Sequence, residues 1–216
     1  VARLGEATGE ALETARLLAK HRAFSPEASR SLVRGLALDA LRGAHDIAQL
    51  RSVWSGLDKN EQAMPDLALA AARRGHDMLA SRPDLADGER QTAMQELAGW
   101  LEPLWARLDQ LDDGQQRQFV RVVEQGLPAL DAAGLARLEQ QQRQWPQNPH
   151  LQYLAGQACM QRQLWGKAAQ LLGQARNGLQ DSALLRRTWR SLALLAEERG
   201  DEPAAQTAWK QAALLD

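Results

Sequence analysis

Apolar residues in this chain recur three and four positions apart and almost never alternate. Leu32, Val33, Leu36, Ala37, Ala40 and Leu41 fall on one helical face, and Ile47, Leu50, Val53, Trp54 and Leu57 fall on another. No run of four to eight residues alternates apolar with polar side chains while favouring β-branched and aromatic types, so strands are not expected. The pattern predicts helices near 3–21, 26–43, 46–57, 64–80, 88–108, 115–127, 131–145, 149–163, 166–177, 182–199 and 202–215.

The residues between these stripes read as starts and stops. Ser25 before Pro26 and Glu27 offers a capping hydroxyl, a proline whose missing N–H is not needed in the first turn, and an acid at the positive end of the helix dipole. Asn148 before Pro149, and Asp201 before Glu202 and Pro203, repeat the device. Gly43, Gly75, Gly178 and Gly200 stand where a left-handed C-terminal residue is useful. Most connections are short, so neighbouring helices should return antiparallel as hairpins. Ser81 to Arg90, with Pro83, Asp84, Asp87, Gly88 and Glu89, reads instead as an exposed, mobile insertion loop.

An internal repeat narrows the fold. Across 182–215, Trp189, Leu192, Ala193, Ala196, Gly200, Ala205, Trp209 and Ala212 follow the order large, Leu, small, medium, Gly, Ala, aromatic, Ala. This resembles the tetratricopeptide repeat, in which small residues such as Ala193 and Ala205 let two helices approach while Trp189, Leu192 and Trp209 fill the space around them. Subtracting 37 finds a second copy in 150–177, with Gly156, Cys159, Ala168, Leu172 and Ala175 beneath Ala193, Ala196, Ala205, Trp209 and Ala212. That copy is degenerate, because Gln152, Ala155 and Gln163 replace the large residue, the Leu and the turn Gly. A third trace, Met64, Leu67, Ala68, Ala71 and Gly75, resumes after the insertion as Ala93, Leu97 and Trp100. The expected class is therefore all-α, an α-solenoid of antiparallel hairpins forming a tetratricopeptide-like superhelix, with 1–216 a single helical-repeat domain. An antiparallel bundle with alanine-rich interfaces is the competing arrangement.

The run Leu164, Trp165, Gly166, Lys167, Ala168 after Cys159 resembles a late repeat in the C-terminal region of the HemY family, haem-biosynthesis-associated inner-membrane proteins of proteobacteria. Leu50 to Trp54, Asp66 to Ala70, and Leu192 to Ala196 with Gly200 and Asp201 stand in the order that family shows. The resemblance implies a role near a late step of protohaem synthesis without established catalytic chemistry. It also implies an N-terminal membrane anchor preceding the repeats, in keeping with a chain that starts at Val1 rather than Met. A flavin-dependent oxidase that shares the family label is excluded, since no GxGxxG opens a βαβ unit here.

Composition removes several classes of function. With 26 basic against 27 acidic residues in 216, the net charge is −1, too balanced to favour nucleic acid or an acidic membrane surface. No stretch has the roughly 18 consecutive apolar residues a spanning helix needs. The single cysteine, Cys159, builds neither an internal disulfide nor a zinc knuckle, and its position reads as buried packing. His21, His45, His76 and His150 are too far apart in sequence to pair on one helix turn as metal ligands. Asp112, Asp113, Glu197 and Glu198 have no neighbouring nucleophile or histidine. No metal, cofactor or catalytic residue is implied, and the expectation is a protein that is not an enzyme.

What the repeat does supply is a concave surface. Within the tetratricopeptide resemblance its positions are His150, Tyr153, Gln157, Met160 and Gln161 in one copy and Arg187, Arg190, Leu194, Glu197 and Glu198 in the next. Arginine, tyrosine, methionine and leucine suit a protein partner. The expected function is a protein-binding scaffold whose partners include haem-pathway enzymes by resemblance. The alternative is a haem or porphyrin carrier using a helical groove and one axial histidine.

Overall fold

The computed structural model describes residues 10–18, 21 and 25–215. Its described residues form helices joined by turns, with no strand among them. In chain order the helices are α1 (10–18), α2 (Pro26–Gly43), α3 (Ile47–Ser55), α4 (Lys59–Gln62), α5 (Pro65–Ala80), α6 (Asp87–Trp100), α7 (Glu102–Trp105), α8 (Asp113–Gly126), α9 (Ala132–Gln144), α10 (Pro149–Gln161), α11 (Trp165–Gly178), α12 (Ser182–Glu198) and α13 (Glu202–Ala213). The predicted helix over 3–21 extends beyond α1 into residues outside those described.

The caps expected from the sequence form. The Ser25 hydroxyl accepts the Ala28 N–H at 3.2 Å, Asn148 Oδ1 accepts those of His150 and Leu151 at 2.9 and 3.2 Å, and Asp201 accepts that of Ala204 at 3.1 Å. Asp46, Asp131 and Asp181 cap α3, α9 and α12 in the same way. The helix predicted over 88–108 breaks instead into α6, α7 and a short 3₁₀ turn at Leu108–Gln110. Pro103 is the cause: it has no N–H to continue α6 and its ring clashes with the preceding turn, so it restarts a helix in the first turn of α7.

The chain divides into two compact units, Val1–Gln118 and Phe119–Asp216, the division falling within α8. In the first, α5 packs against α2, α3, α4 and α6. Leu41, Leu50, Leu67, Leu69, Leu97 and Leu104 are fully buried there. The rings of Trp54 and Trp100 stack with centroids 5.1 Å apart and planes 24° from parallel. Gly75 lies inside α5 rather than ending it, and it has a packing role. A Cβ there would meet Leu97 Cδ1 at 2.7 Å, so only glycine lets α6 approach this closely. The first helix of the third trace runs to Ala80, close to the predicted span 64–80, so what is corrected is the reading of Gly75 as a helix stop.

The expected insertion loop shortens as well. Helix α6 starts at Asp87, leaving 81–86 as the connection. Arg90, from the first turn of α6, donates to the carbonyls of Leu79 at 2.7 Å and Arg82 at 2.5 Å, which straps the segment down. Near the start of the unit, Arg16 donates to both carboxylate oxygens of the buried Glu61 and, at 3.0 Å, to the Gly56 carbonyl. Glu61 also accepts the Asp58 N–H at 2.8 Å, closing a capping box, so one carboxylate fixes both the start of α4 and its contact with α1.

In the second unit α10 packs chiefly on α11 and α12 on α13, while α9 covers α10 and α11 meets α12. Both hairpins have connections of three residues, 162–164 and 199–201.

Candidate interaction surface

The two hairpins repeat each other in backbone detail. Gln163 has φ 58° and Gly200 has φ 71°, and they sit 37 residues apart at equivalent turns. In one turn the N–H of Leu164 reaches the Cys159 carbonyl and that of Gln163 reaches Met160. In the other, Asp201 reaches Ala196 and Gly200 reaches Glu197, all four bonds at 2.9 Å. This is the closure that ends a helix with a left-handed residue. Gly43, Gly75 and Gly178 do not adopt it; Gly200 alone of the four does.

The small residues expected at packing positions lie where the helices meet. Gly156, Cys159, Ala168, Leu172 and Ala175 are buried in the first hairpin, and Ala193, Ala196, Ala205 and Ala212 in the second. A Cβ at Gly156 would fall 2.7 Å from Leu172 Cγ. Leu192 and Trp189 are half-buried, and the Arg176 guanidinium lies 4.8 Å from the centroid of the Trp189 ring. Trp209 departs from expectation. Leu172 at the equivalent position is fully buried beside α12, whereas Trp209 stays 38% exposed and donates its indole N–H to Glu197 Oε1 at 2.7 Å.

The surface residues divide sharply. Tyr153, expected to face a partner, is 0% exposed, and its hydroxyl donates to Glu124 Oε1 of α8. Arg187 donates to the other oxygen of the same carboxylate at 2.6 Å. Burial, reinforced by the Glu124 charge, pushes the Tyr153 phenol well above its usual range, so it stays protonated and keeps its O–H for the Glu124 carboxylate. Half-buried Gln157 donates to Ser191 Oγ at 2.8 Å, tying α10 to α12. Tyr153, Gln157 and Arg187 are therefore committed to holding helices together. The exposed remainder is Gln161 on α10 with Arg190, Leu194, Glu197 and Glu198 on α12, flanked by the half-buried Met160 and His150. Glu124 escapes a reading of the sequence because it lies 29 residues before its partner.

Other reactive groups are quiet. Burial pushes the Cys159 thiol up, away from the reactive thiolate. His76 is buried on α5, and desolvation lowers its pKa to about 4, keeping the ring neutral. Among the described residues no three His, Cys, Asp or Glu side chains gather as a metal site, and no helix is long and apolar enough to cross a membrane.

A cleft of about 610 Å³ opens between α9, α10 and α11. Gln142, Pro146 and Gln147 line one wall, and Gln170, Gln174 and Asn177 of α11 line the other. Buried Gln152 contributes to it from α10 and donates its amide to the Pro146 carbonyl at 2.7 Å, holding the first wall in place. The sequence signal for this cleft is an uncharged stripe of amides at 170, 174 and 177 on one helix face. Comparison of the chain with protein-family models, with curated proteins and with solved structures finds no match.

Proposed function

We propose that the chain is a non-enzymatic protein-interaction scaffold whose hairpins α10–α11 and α12–α13 are consecutive tetratricopeptide-like repeats of an α-solenoid. One observation carries the reading: the left-handed turn residues, their closing hydrogen bonds and the glycine or alanine at the helix contact all recur at one 37-residue interval. Such a ladder presents the first helix of each hairpin side by side, as the Gln157 bond to Ser191 joins α10 to α12 here. The partner surface is then Met160, Gln161, Arg190, Leu194 and Glu198, an apolar centre within a polar and charged rim. By resemblance to HemY, the partner is an enzyme of late haem synthesis and the full-length protein is tethered at the bacterial inner membrane.

The carrier alternative has less to stand on. The cleft is walled mainly by amides with no histidine among its lining residues, a poor host for a flat apolar macrocycle. The test is a photo-crosslinking residue placed at Leu194, or at Gln206 on α13 as control, in the full-length protein in proteobacterial membranes. A discrete adduct with a haem-pathway enzyme from Leu194 alone supports the scaffold. Equal labelling from both positions overturns it, as does a saturable one-to-one Soret shift when hemin is titrated into the chain.

A further inference from the structure

The amide-walled cleft shares no residue with the α10–α12 partner surface. We propose that it is a second binding site, which takes an extended, uncharged polypeptide segment by its backbone.

The chemistry of the walls selects this ligand. A peptide group offers one N–H and one carbonyl, and a Gln or Asn side chain offers the matching acceptor and donors. Gln142 and Gln147 stand on one wall and Gln170, Gln174 and Asn177 on the other, so both edges of an extended chain have partners. On α11 the three amides are four and three residues apart, which sets them on one face about one turn from each other. From 170 to 177 the row spans about 10 Å at 1.5 Å per residue. That length accommodates about three residues of extended chain at ~3.3 Å each. Leu171 and Pro146 supply the apolar surface for one side chain.

Other ligands are served less well. Among the described residues no aromatic ring lines the cleft to stack on a sugar, and no carboxylate lines it to accept sugar hydroxyls. Lys167, the one cation among its described lining residues, is paired with Glu139 at 3.1 Å, leaving no cluster of positive charge there for a phosphate. The walls are also built rather than incidental. Gln152, 5% exposed, anchors Pro146. At the far end Gly178 admits Pro149, whose Cβ would lie 2.9 Å from any Cβ at 178.

The test starts from a phage-displayed library of random dodecapeptides panned against the whole chain. Enriched peptides are then synthesised and titrated by fluorescence polarisation. Binding should weaken at least tenfold for the double variant Gln170→Ala/Gln174→Ala and stay unchanged for Arg190→Ala, which reports on the other surface. Methylating single peptide nitrogens of the ligand should also weaken binding about tenfold at one or two positions, whereas replacing most of its side chains by alanine should cost less than threefold. That second readout needs no protein variant, so it stands even if the double variant loses helicity. The proposal is overturned if no peptide enriches, if N-methylation has no effect, if Arg190→Ala abolishes binding, or if a maltooligosaccharide displaces the peptide.

Discussion

Gln163 and Gly200 close equivalent turns 37 residues apart with nearly the same positive φ, 58° and 71°, although only one of them is glycine. A side chain in the left-handed region crowds its own carbonyl, at ~1–2 kcal/mol per residue. The first hairpin therefore carries a cost that the second avoids.

Gln163→Gly should stabilise the chain by ~1 kcal/mol, and Gly200→Ala should destabilise it by about as much. Urea denaturation followed by circular dichroism reads both. Negligible effects at both positions would show that neither turn holds its residue in the left-handed region.

The glycines inside α10 and α11 should respond in opposite directions. Gly156→Ala drives a methyl into Leu172 and should cost ~1–3 kcal/mol through overpacking. A methyl at Gly173, in the middle of α11, would have open space within 4 Å, so Gly173→Ala should stabilise by ~0.5–1 kcal/mol through helix propensity. Thermal melts of the two variants give the signs directly.

Tyr153 is the position where the structure departs furthest from the expected exposed groove. Tyr153→Ala should destabilise by ~3–5 kcal/mol, as for other large buried aromatics. Tyr153→Phe keeps the ring but removes the donor to Glu124, and should cost ~1.5–3 kcal/mol for a bond to a charged acceptor. In a double-mutant cycle with Glu124→Gln, the Tyr153→Phe penalty should shrink. A Tyr153→Ala variant as stable as the parent would return this residue to the surface.

His76 makes stability depend on acidity. Its folded-state pKa of about 4 lies below the 6.5 of an exposed imidazole, so the unfolded chain takes up this proton first as pH falls. Above 6.5 both states are neutral and the group contributes nothing. Between 6.5 and about 4 stability declines, reaching a full loss of ~3 kcal/mol below that window. The difference in unfolding free energy between the parent and His76→Gln, measured from pH 8 to pH 4, should narrow or reverse by that amount. A constant difference would show an accessible ring.

Legibility follows sequence separation. Ser25, Asn148 and Asp201 act on N–H groups two or three residues away, so their caps can be read from the chain alone. The repeat is readable because the same local contacts recur, even with Gln163 in place of glycine. The break at Pro103 is equally local, but the apolar stripe continues across it and masks it. Tyr153 is different, since its burial depends on Glu124, which lies on another helix. Trp209 fails for the complementary reason: its spacing marks a packing position, and whether anything packs there is not written in the hairpin itself. The amide cleft joins three helices, and only its α11 wall leaves a periodic trace.

The stacked rings of Trp54 and Trp100 make the first unit optically distinct. Indoles 5.1 Å apart couple their excited states, which splits the aromatic circular dichroism into a paired positive and negative band. Trp105 is the third tryptophan of the first unit, whereas those at 145, 165, 189 and 209 belong to the second and enter no such pair among the described residues. Loss of the split band therefore reports melting of the first unit by itself, against a fluorescence signal weighted towards the second.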